Sequence, residues 1–205
     1  MNIAIIGTGN IGSTLAQRFS SNGHTIFLGV RDTHDFKGLQ VLSGLKNCTT
    51  HSISDAAHLG DVIVIAVPAQ FAIDVAKSLG DVSGKVIIDT MNSVNVKHEG
   101  FTNTTDAILA HCNTTDVVKC FNTTGFENLM DPIYKNQGID MFTAGSSTKG
   151  TATATQLAKE LGFENVYHFG NNDKFYLIEQ MAMCWINLAI MQKQGRGMAF
   201  KIVKR

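Results

Sequence analysis

The sequence predicts an α/β fold: a doubly wound, mostly parallel sheet with a C-terminal helical appendage. Three observations carry this. Short apolar runs ending in glycine or proline alternate with segments of helical period, the pattern of a parallel sheet covered on both faces. The first run leads straight into Gly7-Thr8-Gly9-Asn10-Ile11-Gly12. The 205 residues then divide into a sheet-forming stretch, 1–170, and a late helix with a tail, 171–205, with no linker or internal repeat between them.

Residues 3–6 read as a buried strand. Residues 10–21 form a helix with Ile11, Leu15 and Phe19 on one face, stopped by Asn22-Gly23. A second strand over 24–28 completes a βαβ unit. A short helix over 35–45, a strand over 49–53 and a helical turn opened by Ser54 follow. The six apolar residues 62–67 make the clearest strand and stop at Pro68. Residues 70–79 carry Phe71, Val75 and Leu79 at helical spacing, and 85–88 form another buried strand. Residues 89–104, rich in Asn, Thr and Ser, read as a long functional loop. A helix over 105–111, a strand over 117–121 and a polar loop over 122–127 come next. Strands over 140–144 and 166–169 flank a helix over 151–161 that Gly162 closes. The longest helical pattern, 173–194, ends at Gly195-Arg196-Gly197. Its methionines and Trp185 mark it as core or as the face of a homodimer.

Composition narrows the function. Lys and Arg together number 17, as do Asp and Glu, so no basic stripe points to nucleic acid. The N-terminus enters a strand directly, without a basic segment and a following apolar stretch, and no apolar run reaches the length of a membrane span. The expectation is a cytoplasmic protein that binds no membrane. Cys48, Cys112, Cys120 and Cys184 lack CxxC spacing and read as reduced thiols rather than a metal site. The glycosylation patterns at Asn47, Asn103, Asn113 and Asn122 lack a secretory signal and reflect loop composition.

The glycine motif carries the chemistry. Placed after a strand and opening a helix, GxGxxG is a dinucleotide fingerprint of the Rossmann type. Gly7 permits the tight turn, Gly9 lets backbone approach a pyrophosphate, and Gly12 lets helix and strand pack. Thr8, Asn10 and Ile11 share that turn. The second strand ends Leu28-Gly29-Val30-Arg31, without a carboxylate at Val30. Arg31, with Lys37 as a second cation, suits the 2′-phosphate of NADP. Asp32 is the competing choice, since a carboxylate there would hold the ribose of NAD. Ala66, Val67 and Pro68 end the fourth strand where ribose and nicotinamide would lie. Met91-Asn92-Ser93 and Asn122-Thr123-Thr124 follow the next strands and form the far wall. The seven histidines, His24, His34, His51, His58, His98, His111 and His168, are scattered. No acid/base set stands out, and hydride transfer between two cofactors calls mainly for two rings held face to face.

The stretch 5–12, Gly29-Val30-Arg31, Ala66-Val67-Pro68 and Gly195-Arg196-Gly197-Met198 together resemble the NADP oxidoreductases dependent on coenzyme F420. The cytoplasmic domains of six-transmembrane metalloreductases are similar. The resemblance implies an NADP-dependent oxidoreductase that exchanges hydride with a deazaflavin, coenzyme F420, or with a flavin. It implies that Thr8, Asn10 and Ile11 contact the diphosphate, Arg31 the 2′-phosphate and Pro68 the nicotinamide. It places Asn122, Thr123, Gly195, Gly197 and Met198 around the electron acceptor. The chain departs from the family at Val30, where a small polar residue is usual, and at 121–125, which lack the family's histidine and proline. Two other readings stay open: a small imine or carbonyl reductase, and a non-catalytic NADP-sensing module.

Overall fold

The computed structural model describes residues 1–94, 96 and 100–205, with Val41 described by its backbone alone. The chain runs β1 (Asn2–Ile6), α1 (Asn10–Ser21), β2 (Thr25–Gly29), α2 (Leu39–Leu42), β3 (Cys48–His51), α3 (Ile53–Leu59) and β4 (Val62–Ile65). A 3₁₀ turn, Ala69–Phe71, opens α4 (Ala72–Ser78), followed by β5 (Val86–Asp89), α5 (Thr104–His111), β6 (Val117–Cys120) and α6 (Phe126–Met130). A small hairpin of β7 (Ile133–Tyr134) and β8 (Gln137–Gly138) leads to β9 (Asp140–Ala144), α7 (Thr148–Leu161) and β10 (Asn165–His168). The late helix α8 (Phe175–Ile186) follows a 3₁₀ turn at Asn172–Lys174 and continues as a π turn, Asn187–Met191.

Among the described residues, eight strands form the main sheet in the order β10-β9-β6-β5-β4-β1-β2-β3. Neighbours run parallel except β6 and β9, which pair antiparallel. The mostly parallel sheet expected from the sequence is therefore present. β1 lies between β2 and β4, so the strand order turns back there, and the crevice at the carboxyl ends of β1 and β4 is the topological switch point.

Alternation along each strand builds two cores. Ile3, Ile5, Val64 and Ile88 face Leu15 and Phe19 of α1 and Leu157 of α7. Ala4, Ile6, Ile63, Ile65 and Ile87 face Ala56 of α3 and Ala72 and Val75 of α4. Burial on both faces explains why these strands read as unbroken apolar runs. A third cluster, Phe142 and Ala144 with Phe175 and Ile178, seats α8 on β9.

Several boundaries move for definable reasons. β4 stops at Ile65, two residues short of the apolar run, because Pro68 offers no N–H and restricts Val67. α3 is capped by Ser52, which accepts from the Asp55 N–H, rather than by Ser54. β2 closes at Gly29, although the Val30 N–H still bonds the His51 carbonyl at 3.1 Å. The pattern over 173–194 is interrupted at both ends and stops at Met191. The β7–β8 hairpin has no counterpart in the sequence reading. Its turn places Lys135 and Asn136 both at positive φ, 46° and 68°, a turn usually announced by Asn-Gly or Asp-Gly. Part of the 89–104 loop, including His98, lies outside the described residues. Among the described residues, no helix is long and apolar enough to cross a membrane.

Candidate cofactor site

The glycine turn has the geometry of an anion cradle. Gly7 sits at φ +97°, and a Cβ there would meet the Ala66 carbonyl oxygen at 2.6 Å and Val67 Cγ1 at 2.8 Å. A Cβ on Gly12 would lie 1.9 Å from the Gly7 carbonyl oxygen. At each position the nearest atom is a backbone carbonyl oxygen that cannot swing aside, so only glycine fits. Gly9 differs: its φ is −67°, and a Cβ there would meet nothing within 4 Å. That space lies at the start of α1, which has no side-chain cap and no acidic residue in its first turn. Open space, uncapped N–H groups and the positive end of the helix dipole suit a diphosphate. Ser13 Oγ donates to the Thr8 carbonyl at 2.8 Å, which holds the turn.

Two cations border the turn. Lys37 Nζ donates to Asn10 Oδ1 at 2.9 Å, which brings it from the loop after β2 to the head of α1. Arg31 is exposed just beyond β2, its guanidinium 5.7 Å from the Phe71 ring centroid. Arg31 thus reaches from the end of β2 to the turn after β4, and Lys37 reaches the head of α1. Asp32, the competing ribose ligand, accepts at Oδ1 from the backbone N–H groups of His34 (2.9 Å) and Asp35 (3.3 Å). Its carboxylate caps its own loop.

The loops after β5 and β6 meet. Asn92 Nδ2 donates to the Asn122 carbonyl at 2.8 Å, and Asn122 Nδ2 donates to Asn92 Oδ1 at 2.9 Å. Met91 is buried and donates its N–H to Asp89 Oδ1 at 2.8 Å. Asn122 and Thr123 are buried in this wall and present little surface. Phe121, at φ +63°, turns the chain there without a glycine.

The tail closes against the same region. The Met198 carbonyl accepts from Trp185 Nε1 at 2.7 Å and from Asn128 Nδ2 at 2.8 Å. Arg196 bonds both carboxylate oxygens of Glu127, at 2.6 and 3.1 Å, and lies 5.3 Å from the ring centroids of Phe126 and Trp185. Burial pushes the Glu127 carboxyl up, but the bonds from Arg196 outweigh it and hold the pKa below the usual range. Gly195, at φ +92°, and Gly197 leave open space where a Cβ would stand. The sheet thus brings Gly7 to Gly12, Arg31, and Ala66 to Pro68 together at the switch point. Asn92 and Asn122 meet at the next strand ends, and Gly195, Gly197 and Met198 lie against α6 and α8.

Sequence reasoning missed a buried ionic cluster behind this wall. Lys119 Nζ, fully enclosed, lies 2.8 Å from Asp89 Oδ2 and 2.9 Å from Glu179 Oε1. Thr104 and Thr105 donate to Asp89 Oδ2 at 2.5 and 2.7 Å. Burial alone lowers the Lys119 pKa, but the two carboxylates more than offset it and hold the ammonium above its ordinary value. A faint signal existed: Lys119 and Asp89 are charges set inside otherwise apolar four-residue strands. The histidine nearest β1, His24, is at the opposite edge of the sheet, paired with Glu160 at 2.7 Å. Burial raises the Cys120 thiol to about 12 and the Cys48 and Cys112 thiols to about 11. Among the described residues, no group of three or more His, Cys, Asp or Glu side chains is placed to hold a metal.

Comparison with known proteins agrees with this geometry. Residues 2–93, from β1 to the loop after β5, match the family described as NADP oxidoreductase, coenzyme F420-dependent. The whole chain superposes on a protein assigned as an F420-dependent NADP reductase from Arthrobacter sp. FB24, with a TM-score of 0.86 at 23% identity over 100% of both chains. A hypothetical protein from Sinorhizobium meliloti gives a TM-score of 0.74 at 23% identity, over 100% of this chain and 96% of the other. A reductive aminase from Aspergillus terreus, in complex with NADPH and ethyl levulinate, gives 0.61 at 14% identity, covering 94% of this chain and 66% of the aminase. The stretch that matches, residues 2–93, carries the phosphate turn and the switch point, and in it the chain is similar to the coenzyme F420-dependent NADP oxidoreductases.

Proposed function

We propose that the chain is an NADP(H)-dependent oxidoreductase that passes hydride between NADP(H) and a deazaflavin, coenzyme F420, or a flavin. One observation carries the cofactor choice: Arg31 and Lys37 border the glycine turn while the carboxylate of Asp32 is engaged within its own loop. Bound NADPH supplies a hydride at its dihydronicotinamide ring.

The chain's own residues orient and enclose. The N–H groups at Asn10, Ile11 and Gly12 hold the diphosphate, with Gly9 leaving room for it and Thr8 beside it. Arg31 pairs with the 2′-phosphate in a fork geometry, and Lys37 adds a point charge. The backbone of Ala66, Val67 and Pro68 borders the ribose and, at Pro68, the nicotinamide, and Met91 and Asn92 form the far wall. Asn122, Thr123, Gly195, Gly197 and Met198 border the acceptor, and the two glycines leave open space where side chains would stand. The resemblance of the chain's motifs and the family of residues 2–93 support a deazaflavin.

A second reading, reduction of an imine or small carbonyl, is favoured by the likeness to the NADPH-bound reductive aminase. The test is NADPH oxidation with FMN, a 5-deazaflavin, a cyclic imine and a small ketone. Turnover with either flavin-type ring supports the proposal. Turnover with the imine or ketone alone supports the second reading. Tight NADPH binding without oxidation of any kind would instead favour a sensing module.

A further inference from the structure

We propose that Ser93 and Glu179 form a proton relay for the hydride-transfer reaction, with Lys119 and Asp89 as its buried positioning pair. The proposal rests on the oxidoreductase reading above. The stoichiometry asks for such a relay whichever acceptor is used. Reduction of a deazaflavin, a flavin, an imine or a carbonyl by NADPH delivers one hydride and consumes one further proton. In the reverse direction the electron pair of the acceptor's C–H or N–H bond leaves as hydride to NADP⁺. A heteroatom of the acceptor then sheds a proton.

The structure offers one connected route for that proton. Ser93 lies on the loop beyond β5, next to Asn92, whose amide joins the wall at Asn122. Its Oγ–H donates to Glu179 Oε1 at 3.2 Å. As the acceptor's proton bonds to Ser93 Oγ, the serine's own proton passes to Glu179, and the O–H count of Ser93 is unchanged. The reduction runs the same steps backwards.

The division of labour within the cluster follows from burial. Asp89 is wholly enclosed and accepts from Thr104, Thr105, Lys119 and the Met91 N–H. Four donors occupy its two oxygens, so none is left to face the acceptor. Lys119 is also wholly enclosed and stays charged between its two carboxylates. Glu179 keeps 11% of its side chain exposed, so it alone of the three charged members can exchange protons with water. Among the described residues, the charged groups facing it are Lys119 from β6 and, behind it, Asp89 from β5. On its own helix the nearest titratable side chain is the exposed Tyr176, one turn earlier. Lys119 therefore fixes where Glu179 stands, and half-buried Ser93, on the loop beyond β5, forms the outer end of the chain of hydrogen bonds.

A purely structural role would have the cluster only dock α8 on the sheet. Ser93→Ala and Glu179→Gln separate the two, read out by NADPH binding, thermal unfolding and the pH profile of kcat with FMN or a 5-deazaflavin. Ser93→Ala leaves the buried triad untouched, so its folding is secure. The relay predicts that both variants bind NADPH within about twofold of wild type, that kcat falls about a hundredfold, and that the pH-dependent limb and the solvent deuterium isotope effect change. Unchanged kcat and pH profile in both variants, with wild type turning over, would overturn the relay and leave the oxidoreductase reading standing. Failure of wild type to oxidise NADPH with any acceptor would remove both.

Discussion

Exchanging Gly12 and Gly9 for alanine, one at a time, separates the two jobs of the glycine turn. At Gly12 the new Cβ would lie 1.9 Å from the Gly7 carbonyl oxygen and 3.0 Å from the Gly7 carbonyl carbon. Neither atom can move without shifting the turn or the first turn of α1. Overpacking of this kind costs roughly 1–3 kcal/mol, and each kcal/mol lowers the Tm of a chain this size by about 2–4 °C. Gly12→Ala is therefore expected to melt ~2–12 °C lower than wild type. At Gly9 the backbone suits any residue and the added methyl touches nothing. Gly9→Ala should match wild type in stability, or exceed it by about 0.4–1 kcal/mol through the stiffer unfolded chain. Its methyl would instead stand in the diphosphate cradle. Losing one charge-assisted N–H bond costs about 1.5–3 kcal/mol, so NADPH should bind ~10–150-fold more weakly. Apo thermal melts and NADPH titration read the two effects separately. Equal destabilisation by both substitutions, or wild-type NADPH affinity in Gly9→Ala, would refute this reasoning.

Three further outcomes follow from the same geometry. Lys119→Met should cost about 3–5 kcal/mol, because it strands two carboxylates in the interior, and thermal melting at neutral pH checks this. The Lys119 pKa is raised in the folded state, so its stabilisation is complete below the ordinary lysine value, ~10.4, and fades as pH rises through the folded value. Wild type should therefore lose more Tm than Lys119→Met between pH 9 and the strongly alkaline range, expected as an approximate trend. Arg196→Ala should free the 195–198 segment from Glu127 and the two rings, raising acceptor KM about tenfold while leaving the NADPH Kd unchanged, as steady-state kinetics would show. Asp32→Asn should alter NADPH affinity by less than about threefold, since an amide oxygen can still accept from the His34 and Asp35 N–H groups.

The cofactor half of the molecule was legible because its signals are local. A strand, three glycines and a helix of one apolar face lie within twenty residues; Gly7 and Gly12 meet steric reasons in the structure, while Gly9 leaves open space. The choice between Arg31 and Asp32 was not legible, because it depends on where a carboxylate turns within its own loop. The β7–β8 hairpin escaped because Lys135 and Asn136 make its turn without glycine. The buried cluster escaped for a different reason. Lys119, Asp89 and Glu179 come from two strands and a helix as many as ninety residues apart, and a single charge in a short strand has no meaning until its neighbours are known. No acid/base set stood out in the sequence because the histidines are scattered, and the ionisable groups that converge are a lysine and two carboxylates.

The central claim is that this chain selects NADP(H) through Arg31. A paired titration of NADPH and NADH against the wild type and Arg31→Ala tests it most directly. A guanidinium–phosphate pair contributes about 1.5–3 kcal/mol. NADPH should bind wild type ~10–150-fold more tightly than NADH, and Arg31→Ala should erase most of that margin while leaving NADH nearly unaffected. Equal binding of the two cofactors to wild type, or a parallel loss of both in the variant, would contradict the account and return the ribose to Asp32.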